Sequence, residues 1–118
     1  MKIDVKNGVA VVHSDTLVIT DTGTALDLMA TARHTARCDR IAIPKSAVAE
    51  DFFILSTGMA GEVLQKFVNY HTKLAIFGDY SHYTSKVLND FIRESNEGSH
   101  IFFVADEQTA IEKLTAAV

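Results

Sequence analysis

Short apolar runs alternate with segments of helical periodicity through most of this chain, and this alternation constrains the fold more than any other feature. Three of the runs occupy residues 41–43, 74–77 and 101–104. Runs this short and this apolar are typical of strands buried on both faces of a sheet. Strands that alternate with helices favour parallel pairing and right-handed crossovers. The sequence therefore predicts an α/β fold.

A β-hairpin is predicted ahead of these strands. Residues 2–6 alternate, with Ile3 and Val5 on one face, and residues 9–13 form an apolar partner strand. Asn7-Gly8 joins them and suits a type I′ turn, because both residues accept a positive φ. The hairpin adds an antiparallel strand. We therefore expect one domain over residues 1–118, with a mixed sheet of four to five strands and about four helices.

Residues 56–70 predict the central helix of the fold. Their apolar positions recur at the spacing of a helix face that packs on a core; they are Met59, Val63, Leu64, Phe67 and Val68. Ser56 and Thr57 are the predicted N-cap residues. Gly58 and Gly61 each cost about 1 kcal/mol relative to Ala inside a helix. Their presence favours either a close approach to a neighbouring element or an open helix N-terminus.

The remaining elements are predicted from caps and shorter apolar patterns. Thr24 is expected to cap a helix that ends near Arg37, and Asp106 to cap the last helix. A third helix follows Ser85 and ends before Gly98, the predicted C′ residue. Residues 17–19 fit a short strand or a buried edge, and residues 50–55 fit a helical turn or a bend.

Composition narrows the function classes. The chain has a net charge of -4 and no run of Lys or Arg, which argues against a nucleic-acid binder. No apolar run approaches the ~18–20 residues of a membrane helix. Cys38 is the single cysteine, so an internal disulfide is excluded and a reducing compartment is expected. With no signal segment apparent, the sequence predicts a cytoplasmic protein.

Polar residues concentrate where the loops that follow parallel strands are expected to meet. Ligands bind at that end of such sheets, beside helix N-termini. Segments 51–58, 79–86 and 106–108 should lie there, with 21–24 as a further candidate. The candidate binding residues are Asp51, Phe52, Thr57, Gly58, Gly61, Asp79, Tyr80, Tyr83 and Lys86.

The usual catalytic motifs are missing from the sequence. There is no Gly-x-Ser-x-Gly elbow, no phosphate-binding loop and no dinucleotide-binding glycine motif. The spacing of the histidines matches no metal motif. We therefore predict no catalytic residue, no cofactor and no metal.

Several short motifs resemble the bacterial domain-of-unknown-function 4180 family. They are Glu50-Asp51-Phe52-Phe53, Thr57-Gly58-Met59-Ala60-Gly61-Glu62, Leu64-Gln65-Lys66-Phe67, Leu74-Ala75-Ile76, Gly78-Asp79 and Tyr83-Thr84-Ser85-Lys86. The resemblance covers essentially the whole chain. It implies a bacterial cytosolic protein, and the family carries no established activity.

The order of elements also resembles the STAS domain of anti-sigma-factor antagonists and anion-transporter tails. That family has an Asp-Ser-Ser-Gly-Leu motif at the start of its second helix, and a partner kinase phosphorylates the first serine. Leu55-Ser56-Thr57-Gly58-Met59 is similar. The resemblance implies phosphorylation at Ser56 or at the adjacent Thr57. Leu55 departs from the family, which usually has Asp there.

The leading hypothesis is a non-enzymatic, STAS-like regulatory module. It would bind an unknown protein partner through the end of the fold that carries residues 56–61 and 79–86. One alternative is a small anionic or lipid ligand in a pocket lined by Phe52, Phe53 and Tyr83, with Lys86 as counter-charge. Another is a small enzyme that uses the loop from Asp79 to Lys86. The chain is also a candidate homodimer.

Overall fold

The computed structural model describes residues 1–117 and contains one five-stranded sheet. Its strands are β1 (Lys2–Lys6), β2 (Val9–His13), β3 (Arg40–Pro44), β4 (Lys73–Phe77) and β5 (Ile101–Val104). They lie side by side in chain order. β1 is antiparallel to β2, whereas β2, β3, β4 and β5 are mutually parallel. The predicted mixed α/β sheet with a leading hairpin is confirmed.

Four α-helices cover the sheet. They are α1 (Thr22–Thr35), α2 (Met59–Asn69), α3 (Lys86–Glu97) and α4 (Glu107–Ala116). Three short 3₁₀ turns, Lys45–Ala47, Glu50–Phe53 and Leu55–Thr57, lie between β3 and α2. Within residues 1–117, no helix combines the length and the apolar content needed to cross a bilayer.

The sheet separates two apolar cores. Ile41 and Ile43 of β3 pack with α1, α2 and α3, whereas Ala42 between them packs with α4. This division follows from the alternation of side chains along a strand. Right-handed crossovers between strands in sequential order keep α1, α2 and α3 on the same face. The loops that join strands to these helices therefore emerge together.

The hairpin turn has the predicted conformation. Asn7 and Gly8 adopt φ values of 54° and 78°, as a type I′ turn requires. Between β2 and α1, Ile19 is buried and forms a single parallel bridge with Val48. Leu17, two residues earlier, is exposed, so the predicted strand at residues 17–19 reduces to one bridging residue.

The predicted starts of α1 and α2 are wrong. Asp21, not Thr24, is the N-cap of α1: its carboxylate accepts the Thr24 N–H, and the Thr24 hydroxyl accepts the Asp21 N–H. Helix α2 begins after Gly58, whose left-handed φ of 80° turns the chain. Ser56 and Thr57 belong to the preceding 3₁₀ turn and neither is the N-cap residue, although the Thr57 hydroxyl accepts the Met59 N–H at 3.2 Å and so satisfies a free N–H at the helix start.

Two further helix details differ from expectation. Val68 was placed on the packed face of α2, yet its side chain is 43% exposed, while Val63, Leu64 and Phe67 are buried. Gly98 follows α3 in an extended conformation with φ of −87°, so it is not the left-handed C′ residue that was predicted. Because Val68 is exposed, the packed face of α2 is narrower than the apolar pattern indicates.

Candidate functional site

An open groove lies between the segments that follow β3 and β4. These strands are adjacent and parallel, so residues 45–58 and 78–85 leave the same end of the sheet. The groove has a volume of about 700 Å³ and is lined by Glu50, residues 53–56, residues 82–85, Val87 and Leu88. Two of the segments expected to meet at this end therefore do so.

Two 3₁₀ turns shape the first wall of the groove. The Thr57 hydroxyl donates to the carbonyl oxygens of Asp51 and Ile54, at 2.8 and 2.9 Å, and so ties the turns together. Phe52 points into the core, where it is 1% exposed, whereas Ile54 is 47% exposed. The wall therefore presents Ile54 and Ser56 to the groove and keeps Phe52 out of it.

An aromatic cluster supports the groove. The Phe53 and Tyr83 rings are stacked with centroids 5.6 Å apart, and the Tyr80 ring lies 5.9 Å from Phe53. The Tyr80 hydroxyl donates to the Ile76 carbonyl at 2.8 Å, and burial strongly raises its pKa. The Tyr83 hydroxyl donates to Glu50 Oε2 at 2.8 Å; burial and then this carboxylate raise its pKa. Both phenols are therefore neutral near pH 7.

Lys45 is the basic residue of this cluster, and the sequence reasoning missed it. Its ammonium lies 4.9 Å from the centroids of both Phe53 and Tyr83 and 3.7 Å from Glu50 Oε1. A cation at that distance is attracted to the faces of the rings. The sequence could have indicated Lys45 through its position: it comes directly after β3, as Gly78 comes directly after β4, so it lies at the same end of the sheet.

Asp79 and His82 complete the loop after β4. Asp79 Oδ1 accepts the Ser81 N–H at 2.8 Å, and hydrogen bonds from Ser81 hold the pKa of Asp79 below its usual value. The His82 ring packs on Tyr83 with centroids 4.1 Å apart. Asp79 is thus a turn residue that lines a separate depression with Lys45, while His82 lines the groove.

The other predicted site residues lie apart from the groove. The Lys86 ammonium is 2.6 Å from Asp90 Oδ2, and its side chain is 86% exposed. Gly61 lines a separate depression with Thr22 of α1. An added Cβ at Gly61 would meet no atom within 4 Å, so close approach to another element does not explain this glycine.

The segment 106–108 forms the start of α4. Asp106 Oδ1 accepts the Thr109 N–H at 2.8 Å and so caps the helix as predicted. Glu107 pairs with Lys6 of β1 at 2.7 Å. Because α4 covers the opposite face of the sheet from α3, neither residue lines the groove.

The groove combines apolar, aromatic and hydroxyl groups. Its lining combines the aromatic rings of Phe53 and Tyr83, the exposed apolar side chains of Ile54 and Val87, and the hydroxyl groups of Ser56 and Thr84. Across residues 1–117, no three His, Cys, Asp or Glu side chains are grouped closely enough to hold a metal ion. Cys38 is buried among apolar residues, as is usual for a free cysteine.

Comparison with curated proteins and with solved structures gives no match for this chain. A family model described as Domain of unknown function (DUF4180) matches residues 5–114. The matched range runs from β1 into α4 and includes both walls of the groove. The chain therefore belongs to the DUF4180 family.

Proposed function

We propose that this chain is a non-enzymatic regulatory module that binds a segment of a partner protein in the groove. The supporting observation is the exposure of apolar side chains at its rim, where Ile54 is 47% and Val87 is 67% exposed. Exposed apolar groups around a concave aromatic surface are typical of protein-interaction sites. Burial of these side chains by a partner would contribute most of the free energy of binding.

The groove favours an apolar anchor over a charged one. The charge of Glu50 is already balanced, because its carboxylate faces the Lys45 ammonium at 3.7 Å and accepts the Tyr83 hydroxyl. The hydroxyls of Ser56 and Thr84 are available to hydrogen-bond the backbone of a partner segment. We therefore expect a partner segment that inserts a large apolar side chain between Ile54 and Val87.

The regulatory part of the proposal is phosphorylation of Ser56, which the likeness of residues 55–59 to the STAS motif suggests. Ser56 is exposed and lines the groove. Thr57 is the poorer candidate for phosphorylation, because its hydroxyl already donates hydrogen bonds to the carbonyls of Asp51 and Ile54. A phosphate would bring almost two negative charges into a groove that Glu50 also lines, and the cost of desolvating it would oppose the burial of an apolar anchor there.

The test is site-specific photo-crosslinking in the natural host. A photoreactive amino acid replaces Val87 in the groove or, as the matched control, Val68 on α2, which is also exposed but lies outside the groove. We expect one discrete protein adduct from position 87 and none from position 68. Identical adduct patterns from the two positions, or no protein adduct from position 87, would contradict the proposal.

Affinity measurements with the captured partner then test the groove directly. Val87→Glu should weaken binding by about tenfold or more, as expected for loss of a central apolar contact. Val68→Glu should leave the Kd unchanged. Ser56→Asp should weaken binding and Ser56→Ala should not, since only the acidic variant imitates the phosphate charge.

A small ligand is the second candidate, and the size of the groove favours it. A volume of about 700 Å³ is within the usual range for small-molecule sites. An anionic headgroup would have to compete with Asp90 for Lys86 or with Glu50 for Lys45, so the groove suits an uncharged apolar part of such a ligand better than its charge. A low-mass adduct at position 87, in place of a protein, would support this candidate.

A further inference from the structure

The outer edge of β1 is open. The two-residue turn joins Lys6 to Val9 in a hydrogen-bonded pair, and such pairs alternate along an antiparallel ladder. Lys2, Asp4 and Lys6 therefore bond to β2, whereas Ile3 and Val5 direct their backbone N–H and C=O groups outward. Within residues 1–117, no further strand pairs with β1.

The opposite edge of the sheet is covered at its middle. Asn96 of α3 accepts the Phe103 N–H at 2.7 Å and donates to the Phe103 carbonyl at 3.0 Å. The Asn96 side-chain amide thus forms hydrogen bonds with both the N–H and the C=O that Phe103 directs outward, as a neighbouring strand would. The two edges of the sheet therefore differ, and β1 is the edge that can accept a partner strand.

The side chains of β1 form a self-complementary pattern. Ile3 packs against the core under α1, α2 and α3, so Met1 and Val5 lie on the same face; they are 62% and 54% exposed. Lys2 and Asp4 lie on the other face. Lysines on an edge strand commonly discourage pairing, but here an acidic residue alternates with them.

We propose that β1 pairs in antiparallel fashion with β1 of a second copy of this chain, about a twofold axis at Ile3. In this register Lys2 faces Asp4 of the second copy, and the symmetry repeats the pair. Met1 faces Val5 of the second copy, so each covers an apolar side chain that the single chain exposes. Opposite charges and apolar pairs directly across two strands both stabilise a sheet.

Charge selects this register over its neighbour. An axis at Asp4 would set Asp4 against itself and Lys2 against Lys6, and like charges directly opposite are destabilising. An axis at Val5 would use Lys6, which is already held by Glu107 at 2.7 Å. The axis at Ile3 leaves that ion pair intact. It uses Asp4, whose Oδ2 lies 3.1 Å from His13 Nε2 and whose Oδ1 is left to face Lys2. The dimer interface is separate from the groove proposed to bind a partner protein.

Charge reversal tests the proposal by sedimentation equilibrium of the whole chain. The wild type should be a dimer that dissociates on dilution. Lys2→Glu alone, or Asp4→Lys alone, places like charges opposite each other twice and should raise the dimer Kd about tenfold or more. An equal mixture of the two variants sets opposite charges against each other and should form a mixed dimer as tightly as the wild type.

The control is Lys113→Glu, which makes the same charge change at an exposed position of α4. It should leave the dimer Kd unchanged, and so should Val87→Glu in the groove. Circular dichroism of each variant confirms that the fold is retained. A wild type that stays monomeric at every concentration overturns the proposal, and so does a dimer that neither charge reversal weakens.

Discussion

Gly78 illustrates how one absent side chain shapes the candidate site. It follows β4 directly beside Lys45, and a Cβ added there would lie 2.6 Å from Lys45 Cβ. That distance is shorter than any ordinary van der Waals contact. The Lys45 side chain uses the space to reach the rings of Phe53 and Tyr83 and is only 16% exposed. The position of the ammonium therefore depends on the glycine that follows the neighbouring strand β4.

We predict that Gly78→Ala lowers the free energy of unfolding by about 1–3 kcal/mol, the usual effect of overpacking. The clash is with Lys45 Cβ, which cannot move without the backbone. Gly61→Ala is the matched control, because its Cβ would meet nothing within 4 Å inside α2. It should raise the free energy of unfolding by about 0.5–1 kcal/mol. Urea unfolding measures both, and effects of the same sign would contradict the prediction.

The sequence predicted which loops form the site, but it did not predict the contacts of the side chains on those loops. Tyr83 was expected at the site and lines the groove. Lys86 was expected to supply a counter-charge, but Asp90 lies four residues away on the same helix and binds it first. Lys45 was overlooked because its partners, Phe53 and Tyr83, are brought to it by the packing of two separate loops.

At the scale of elements, Asn96 joins helix α3 to the edge of β5. Its amide makes two hydrogen bonds with the backbone of Phe103, whose side chain is buried. Backbone groups at a sheet edge otherwise bond to water or to another strand. One polar side chain therefore fixes the helix against the strand and covers the edge.

We predict that Asn96→Ala lowers the free energy of unfolding by about 1–3 kcal/mol, because a donor and an acceptor near the core lose their partners. Asn69→Ala is the control. Asn69 is an exposed residue of α2 that accepts a hydrogen bond only from Gln65, and its removal should change the free energy by less than about 0.5 kcal/mol. Equal losses in urea unfolding of the two variants would contradict a special role for Asn96.

Elements were easier to predict than their ends. The strands β3, β4 and β5 are recognisable because four or five consecutive residues are almost all apolar. The N-cap residue of α2 is Gly58, whose left-handed conformation begins the helix, and the Thr57 hydroxyl supports this start by accepting the Met59 N–H. The 3₁₀ turn Glu50–Phe53 agrees with the helical turn predicted over residues 50–55. The turn Leu55–Thr57 was not predicted, since it is held by the Thr57 hydroxyl, which reaches a carbonyl six residues earlier.

At the scale of the whole molecule, one sheet lies between two apolar cores, and more helices cover one core than the other. Three helices pack on one face, whereas α4 alone covers the other through Ala110, Ile111 and Leu114. Adjacent residues of each strand belong to different cores. Loss of packing on one face must therefore affect strands that the other face also needs.

We predict that Leu114→Ala destabilises the entire domain by about 2–5 kcal/mol, the usual loss for a buried leucine. Leu114 is fully buried, while the tyrosines lie outside its core. Tyrosine fluorescence and far-UV circular dichroism should nevertheless show the same urea midpoint, as in two-state unfolding. Glu112→Ala, at an exposed position of α4, is the control. Loss of helical signal before the tyrosine signal would show that α4 unfolds separately.

The order of the strands has a consequence for biosynthesis. Because the strands lie in the sheet as they occur in the chain, each strand that leaves the ribosome finds its neighbour already made. Domains generally fold as units, and in this one no strand from β2 onward has to wait for a neighbour that is synthesised later. The last strand to appear is β5, and Asn96 precedes it in the chain. The nascent protein therefore holds the cover for its final edge before that edge exists.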